Sequence, residues 1–152
     1  MKRFAPALLL ALACGGSPSP DELAVLKAVL DRAAASKGYL PCAQLLTDRP
    51  FVLREEAGSW RIPASAAGGS WIVKSRSSIQ AAADSARKPV YFVAIYGMKV
   101  AGSSAEVSVI VDRALPAGDR DAVAVCSVLA NDEYRKADGR WLFKDRPTSV
   151  EF

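Results

Sequence analysis

Apolar residues follow three different patterns along the chain. Residues 4–13 (FAPALLLALA) form one uncharged apolar run behind Met1-Lys2-Arg3. From Leu23 the spacing becomes helical: Leu23, Leu26, Leu30 and Ala33 recur on one side, with Val29 beside them, while Lys27, Asp31 and Arg32 can stay in water. The segment before it is a helix start. Ser19 fits the N-cap, Pro20 the first helical position, and Glu22 the capping-box acid. With Gly38 suited to the position just past the end, this predicts a helix over 21–36. Beyond Val90 the pattern changes to that of strands. Val90 to Val100 (VYFVAIYGMKV) is β-branched and aromatic, and Val107, Val109 and Val111 alternate with Glu106, Ser108, Ile110 and Asp112.

Between these regions the pattern is less regular. Tyr39 to Leu46 fits a short strand or the start of a short helix, and Phe51-Val52-Leu53 is a brief apolar element. Ala64 to Ser70 (ASAAGGS) predicts a small-residue loop, and Trp71-Ile72-Val73 a strand or a packed loop. Ser77 to Arg87 predicts a second helix, capped by Ser77 or Ser78, with Ile79, Ala82, Ala83 and Ala86 as its apolar stripe and Pro89 past its end. Toward the C-terminus, Leu115 to Asp119 is a turn cluster and Ala122 to Ala130 a strand. Asp138-Gly139 marks a tight turn before the strand Trp141-Leu142-Phe143-Lys144, and Thr148 to Phe152 is a possible edge. Three to five strands joined by short turns make an antiparallel meander. With an N-terminal helix and a second helix packed on it, the expected class is α+β.

The first apolar run has the form of a secretory signal peptide: a basic start, ten apolar residues and a small-residue Ala11-Leu12-Ala13 ending. At ~1.5 Å per residue the run reaches only about 15 Å, roughly half a bilayer core. Gly15 to Pro20 (GGSPSP) then reads as a flexible spacer. The expected organisation is a signal peptide over 1–13, a tether over 14–20 and one domain over 21–152. Leu12-Ala13-Cys14-Gly15 resembles the lipobox of bacterial lipoproteins. In that family the cysteine receives a diacylglycerol and cleavage falls just before it. The usual order has Leu three places before the Cys and a small residue two before; here Ala11 and Leu12 are exchanged. Ordinary cleavage after Ala13, giving a soluble periplasmic or secreted protein, is the alternative. The resemblance implies lipidation of Cys14 and, with Gly15 rather than Asp next, an outer-membrane lipoprotein facing the periplasm.

Composition narrows the chemistry. Without Lys2 and Arg3, 18 basic side chains face 16 acidic ones. They are scattered, with no Lys/Arg run, so nucleic acid is not an expected partner. Three cysteines in an oxidising compartment leave an odd one. If Cys14 is lipidated, Cys42 and Cys126 remain as a pair, either disulfide-bonded or as two buried thiols. There is no histidine. That removes the commonest general base, the commonest metal ligand and the usual partner of a Ser or Cys nucleophile. Asp119-Arg120-Asp121 and Asn131-Asp132-Glu133 gather carboxylates, but in segments that read as solvated turns. Neither has calcium-loop spacing, and Gly68-Gly69 lacks the residues of a phosphate loop. No catalytic residue, metal or cofactor is therefore expected. Glu106 and Asp112 bracket an apolar strand, and the alternation places them on its more exposed face, opposite Val107, Val109 and Val111.

One strand needs covering on both sides: Val90, Phe92, Ala94 and Tyr96 lie on one face, and Tyr91, Val93 and Ile95 on the other. Either helices cover one face and a partner the other, or a curved sheet encloses an apolar pocket. With an N-terminal helix and consecutive strands ending in Asp138-Gly139-Arg140-Trp141, the second arrangement resembles the nuclear transport factor two-like and cystatin-like small exported domains. That resemblance implies a pocket-bearing or dimerising scaffold and names no catalytic residue. The aromatics Tyr91, Phe92, Tyr96, Trp141 and Phe143 are expected in the core. The leading expectation for function is a membrane-tethered, non-enzymatic interaction or binding module. Its partners would be the membrane, through the lipid, and an unidentified envelope protein or small ligand. The alternative is a pocket protein of the nuclear transport factor two-like type, taking a small apolar ligand or having weak acid–base activity.

Overall fold

The computed structural model describes residues 17–35, 42–54, 60–119 and 128–151. The signal peptide, the lipobox with Cys14, Gly38 and Cys126 lie outside these residues. So do Arg120, Asp121 and the 122–127 portion of the predicted strand.

The first helix, α1, runs from Pro20 to Ala35. Its start is the predicted capping box: the Ser19 N–H donates to Glu22 Oε2 at 2.6 Å, and the Glu22 N–H donates to Ser19 Oγ at 3.2 Å. Two N-terminal donors are thereby satisfied reciprocally. The helix buries Leu26, Val29, Leu30 and Ala33 of the predicted stripe and Val25 besides, while Leu23 is half-buried. The segment 42–54 holds a single 3-10 turn at Ala43–Leu45 and the strand β1, Phe51–Leu53. Ala64–Ala67 forms a one-turn helix, α2, where a loop was expected. Its Ala66 and Ala67 are small enough to bury beside α1. Gly68, at φ 59°, then turns the chain. Strand β2 is Ile72–Lys74.

Helix α3 spans Arg76–Ala86, and its cap is Ser75, not Ser77 or Ser78. The Ser78 N–H donates to Ser75 Oγ at 3.2 Å, and the Ser77 and Ser78 hydroxyls lie 3.0 and 2.9 Å from the same oxygen. Only Ser75 stands at the right distance ahead of the helix to accept. Arg87, in the left-handed region at φ 50°, closes the C-terminal end. Four long strands follow: β3 (Val90–Ala101), β4 (Ser104–Ala114), β5 (Val128–Ala137) and β6 (Arg140–Glu151). β6 joins the two expected C-terminal strands into one. The β5–β6 turn is the Asp138-Gly139 pair, at φ 50° and 74°, both positive as a two-residue primed turn requires.

The strands form one mixed sheet in the order β2-β1-β3-β4-β5-β6. Its class is α+β, with one strand more than the largest number expected. β3 to β6 make the antiparallel meander; β1 and β2 add to its side in parallel pairing, Phe51 opposite Phe92 and Ile72 opposite Phe51. Three-residue parallel strands carry too short a pattern to be distinguished from packed loop.

The helices lie on opposite faces of this sheet. α1 and α2 pack with Val52, Val93, Ile95, Val107, Val109 and Val111. α3, through Ile79 and Ala83, packs with Leu53, Phe92, Ala94 and Ala114. The two-sided apolar strand thus meets neither expected solution: each face has its own helix. A bulge at Ile95/Gly97 leaves Tyr96 and Gly97 on the α3 side and returns Met98 and Val100 to the α1 side.

Candidate functional site

Two polar regions stand at opposite ends of the sheet. At the meander end, Asn131-Asp132-Glu133 is not a turn: it lies within β5, paired with β4 and β6. Asp132 is 1% exposed. Arg146 of β6 forks onto it, Nε to Oδ1 at 2.7 Å and Nη2 to Oδ2 at 3.2 Å. A buried carboxylate is costly unless paired and hydrogen-bonded, and this bidentate geometry supplies both. Irregular pairing on either side of Glu133 breaks the alternation there. On the sheet face that α3 leaves open, Ser108 Oγ donates to Asn131 Oδ1 at 2.7 Å, and Asn131 Nδ2 donates to Thr148 Oγ1 at 2.8 Å. This ladder floors a shallow hollow of 470 Å³ edged by Lys99, Glu106 and Glu133. Glu133 is held by Lys144 at 2.8 Å, and that contact raises the Lys144 ammonium above its usual range.

Glu106 is exposed, as the alternation predicts. Asp112 is half-buried on the same face, 3.6 Å from Arg76, whose guanidinium also lies 4.7 Å from the centre of the Phe92 ring. Asp119 sits in the turn after β4, where its N–H donates to the Pro116 carbonyl at 3.1 Å. The aromatics serve packing. Phe92 and Trp141 are buried, Tyr134 meets Phe143 edge-on at 5.9 Å, and Arg32 stacks on Phe143 at 3.4 Å. Tyr91 and Tyr96 are half-buried, on the α1 and α3 sides respectively. Asp21 and Lys136, 2.6 Å apart, tie the start of α1 to the β5–β6 hairpin. Lys136 holds the Asp21 carboxyl below its usual value, partly opposed by desolvation, and the Trp141 indole adds to the lowering.

At the other end, beside the parallel strands, lies a cleft of 680 Å³ that no sequence motif marks. Three arginines line it, all exposed: Arg49, Arg54 and Arg61. They come from separate segments held by backbone hydrogen bonds. Arg49 precedes Pro50, whose carbonyl accepts from the Ile72 N–H at 3.0 Å. The Arg54 N–H donates to the Lys74 carbonyl at 2.8 Å, and its own carbonyl accepts from the Ile62 N–H at 2.8 Å. The second bond sets Arg61 beside Arg54. The apolar wall includes Leu23, Ile62, Trp71 and Val73, with Trp71 fixed by its indole N–H donating to the Leu30 carbonyl at 3.0 Å. Ser17 and Pro18 form one rim, and no carboxylate belongs to the described lining. The volume falls within the range that small-molecule sites occupy.

Among the sequence-predicted site residues, Cys42 is 3% exposed and disulfide-bonded. Neither other cysteine is among the described residues. Gly68-Gly69 forms the turn after α2 on the edge of the cleft. Among the described residues, no group of three or more His, Cys, Asp or Glu is placed to hold a metal, and no helix is long and apolar enough to cross a membrane. No protein-family model matches the chain, and no curated protein matches it in sequence.

Proposed function

We propose that this protein is a membrane-tethered lipoprotein of the periplasm, held by a lipid on Cys14, and that its domain is a non-enzymatic binding module whose site is the arginine-lined cleft. The observation that carries this reading is the position of Ser17 and Pro18 on the rim of the cleft. Two residues lie between Cys14 and Ser17, and the three Cα–Cα steps reach at most about 11 Å. A lipid on Cys14 therefore keeps the cleft close to the bilayer surface. The non-enzymatic part is supported by the absence of histidine and by the surroundings of the carboxylates: Glu106 is exposed, Asp112 faces Arg76, and Asp132 is clasped by Arg146. A small ligand is favoured over a protein partner because the cleft is concave and of ligand size.

The experiment is mass spectrometry of the N-terminal peptide from the membrane fraction. Diacylglyceryl on Cys14 is the expected result, and Cys14→Ser should release the domain from the membrane or leave the precursor uncut. A soluble product beginning with unmodified Cys14 would overturn the tether. The same reading assigns Cys126 as the disulfide partner of Cys42, closing a loop of about 84 residues, a constraint of roughly 4–5 kcal/mol in the chain-entropy model. Peptide mapping under non-reducing conditions should find Cys42 joined to Cys126. A bond between Cys42 and Cys14 would refute both the pairing and the lipid.

A further inference from the structure

We infer that Asp138 is a modification site: its carboxyl reacts with the backbone nitrogen of Gly139, and the β5–β6 turn converts slowly to isoaspartate through molecules in which it has opened. The reaction needs only water. The Gly139 nitrogen attacks Cγ of the protonated Asp138 carboxyl. The N–H proton and the carboxyl hydroxyl leave together as water, and the new C–N bond closes a five-membered succinimide. Water then cleaves one of the two ring C–N bonds. Cleavage at Cγ restores aspartate. Cleavage at the main-chain carbonyl carbon gives isoaspartate, in which the chain runs through Cβ and Cγ and the former main-chain carbonyl becomes the free carboxylate.

The place follows from what that attack requires. The nitrogen must carry no bulk beside it, and Asp138-Gly139 is the one Asp-Gly pair in the chain. Both residues are exposed, and a Cβ built on Gly139 would meet nothing within 4 Å. In a two-residue hairpin turn the ladder bonds belong to the flanking pair, here Ala137 and Arg140, so the Gly139 N–H faces water. Asp84, followed by Ser85, is the contrast. It lies within α3, and its Oδ1 accepts from Gln80 Nε2 at 2.9 Å and from the Ala117 N–H at 2.7 Å.

The turn itself is the gate. Ring closure brings Cβ, Cα, the carbonyl carbon and the next nitrogen close to one plane. Asp138, at φ 50°, is in the left-handed region. There ψ lies near about 47°, which holds that nitrogen far out of the plane. The closed turn is therefore unreactive, and the reaction draws on the opened fraction. The product carries one extra main-chain atom. A two-residue primed turn does not accommodate it, so the pairing of Ala137 with Arg140 is not restored. The next pair is Lys136 with Trp141, and Lys136 is the residue that holds Asp21 at the start of α1. The modification thus loosens the hairpin's hold on α1.

For the test, the full exported Cys14→Ser chain is incubated at neutral pH, folded and in urea. Its peptides are mapped by electron-transfer fragmentation, which distinguishes isoaspartate from aspartate at equal mass. Isoaspartate should accumulate at Asp138 ahead of every other aspartate, and at least about tenfold faster in urea than in the folded chain. Asp138→Glu, which would have to close a less favourable six-membered ring, should form none at that position. The isomerised protein, separated by ion exchange, should unfold at lower urea than its parent and show displaced amide signals at Ala137 and Arg140. Three results each overturn the inference: another aspartate reacting first in the folded chain, equal rates folded and unfolded, or an isomer with the parent's stability and amide signals.

Discussion

The two ends of the sheet handle charge in opposite ways. At the meander end, acids face bases at short range: Asp132 with Arg146, Glu133 with Lys144, Asp21 with Lys136. At the parallel end, three arginines line a cleft whose described lining holds no acid. The contrast sets charges that hold the structure against exposed charges at the proposed site.

The sharpest way to break this comparison is at Asp132. Asp132→Ala leaves Arg146 mostly buried beside a site without its carboxylate, and should destabilise the fold by about 3–5 kcal/mol in urea unfolding. Replacing both residues, Asp132→Ala with Arg146→Met, should recover much of that loss. A single variant as stable as the parent would show that the pair is incidental.

A smaller effect is expected at the α1–hairpin tie. The Asp21 carboxyl is depressed from 3.8, chiefly by Lys136. A depressed acid contributes stability that is fully present above its unfolded-state value. That contribution is lost as pH falls through the lower folded-state value, below about pH 4. Both groups are partly exposed, so the contribution is modest and falls with salt. Lys136→Met should therefore lower stability modestly at neutral pH and leave it little changed well below pH 4, so that the acid limb of a stability–pH curve is flattened. An unchanged acid limb would remove this contact from the account.

The smallest expected effect sharpens the other side of the contrast. Arg49→Gln and Arg54→Gln should move the unfolding midpoint by the equivalent of no more than about 0.5 kcal/mol, because surface substitutions away from buried partners rarely do more. A large loss from either would mean that the cleft arginines hold the fold together after all.

What could be read in advance depended on how local the signal was. The capping box at Ser19 and Glu22 and the Asp138-Gly139 turn are set by neighbours a few residues apart, and both are in place. The Val107, Val109 and Val111 alternation is equally local, and it correctly put Glu106 on the exposed face. Asn131-Asp132-Glu133 misled because Asp and Asn are turn residues in isolation. The return of Arg146 across the β5–β6 pair makes an internal strand position tolerable for Asp132. β1 and β2 were obscure because their partners lie far along the chain, as with Phe51 against Phe92. The cleft was invisible for the same reason. Arg49, Arg54 and Arg61 form no run and no motif, and they share a site through bonds between distant segments, among them those from Ile72 to Pro50, from Arg54 to Lys74 and from Ile62 to Arg54.

The most direct test of the central claim, that the arginine-lined cleft is the ligand site, is a backbone amide NMR titration of the full exported Cys14→Ser chain with dodecyl phosphate. The account predicts shift changes concentrated at Arg54, Ile62, Trp71 and Val73, and little change at Ser108, Asn131 and Thr148. Changes centred on the β4–β6 ladder, or none anywhere, would contradict it.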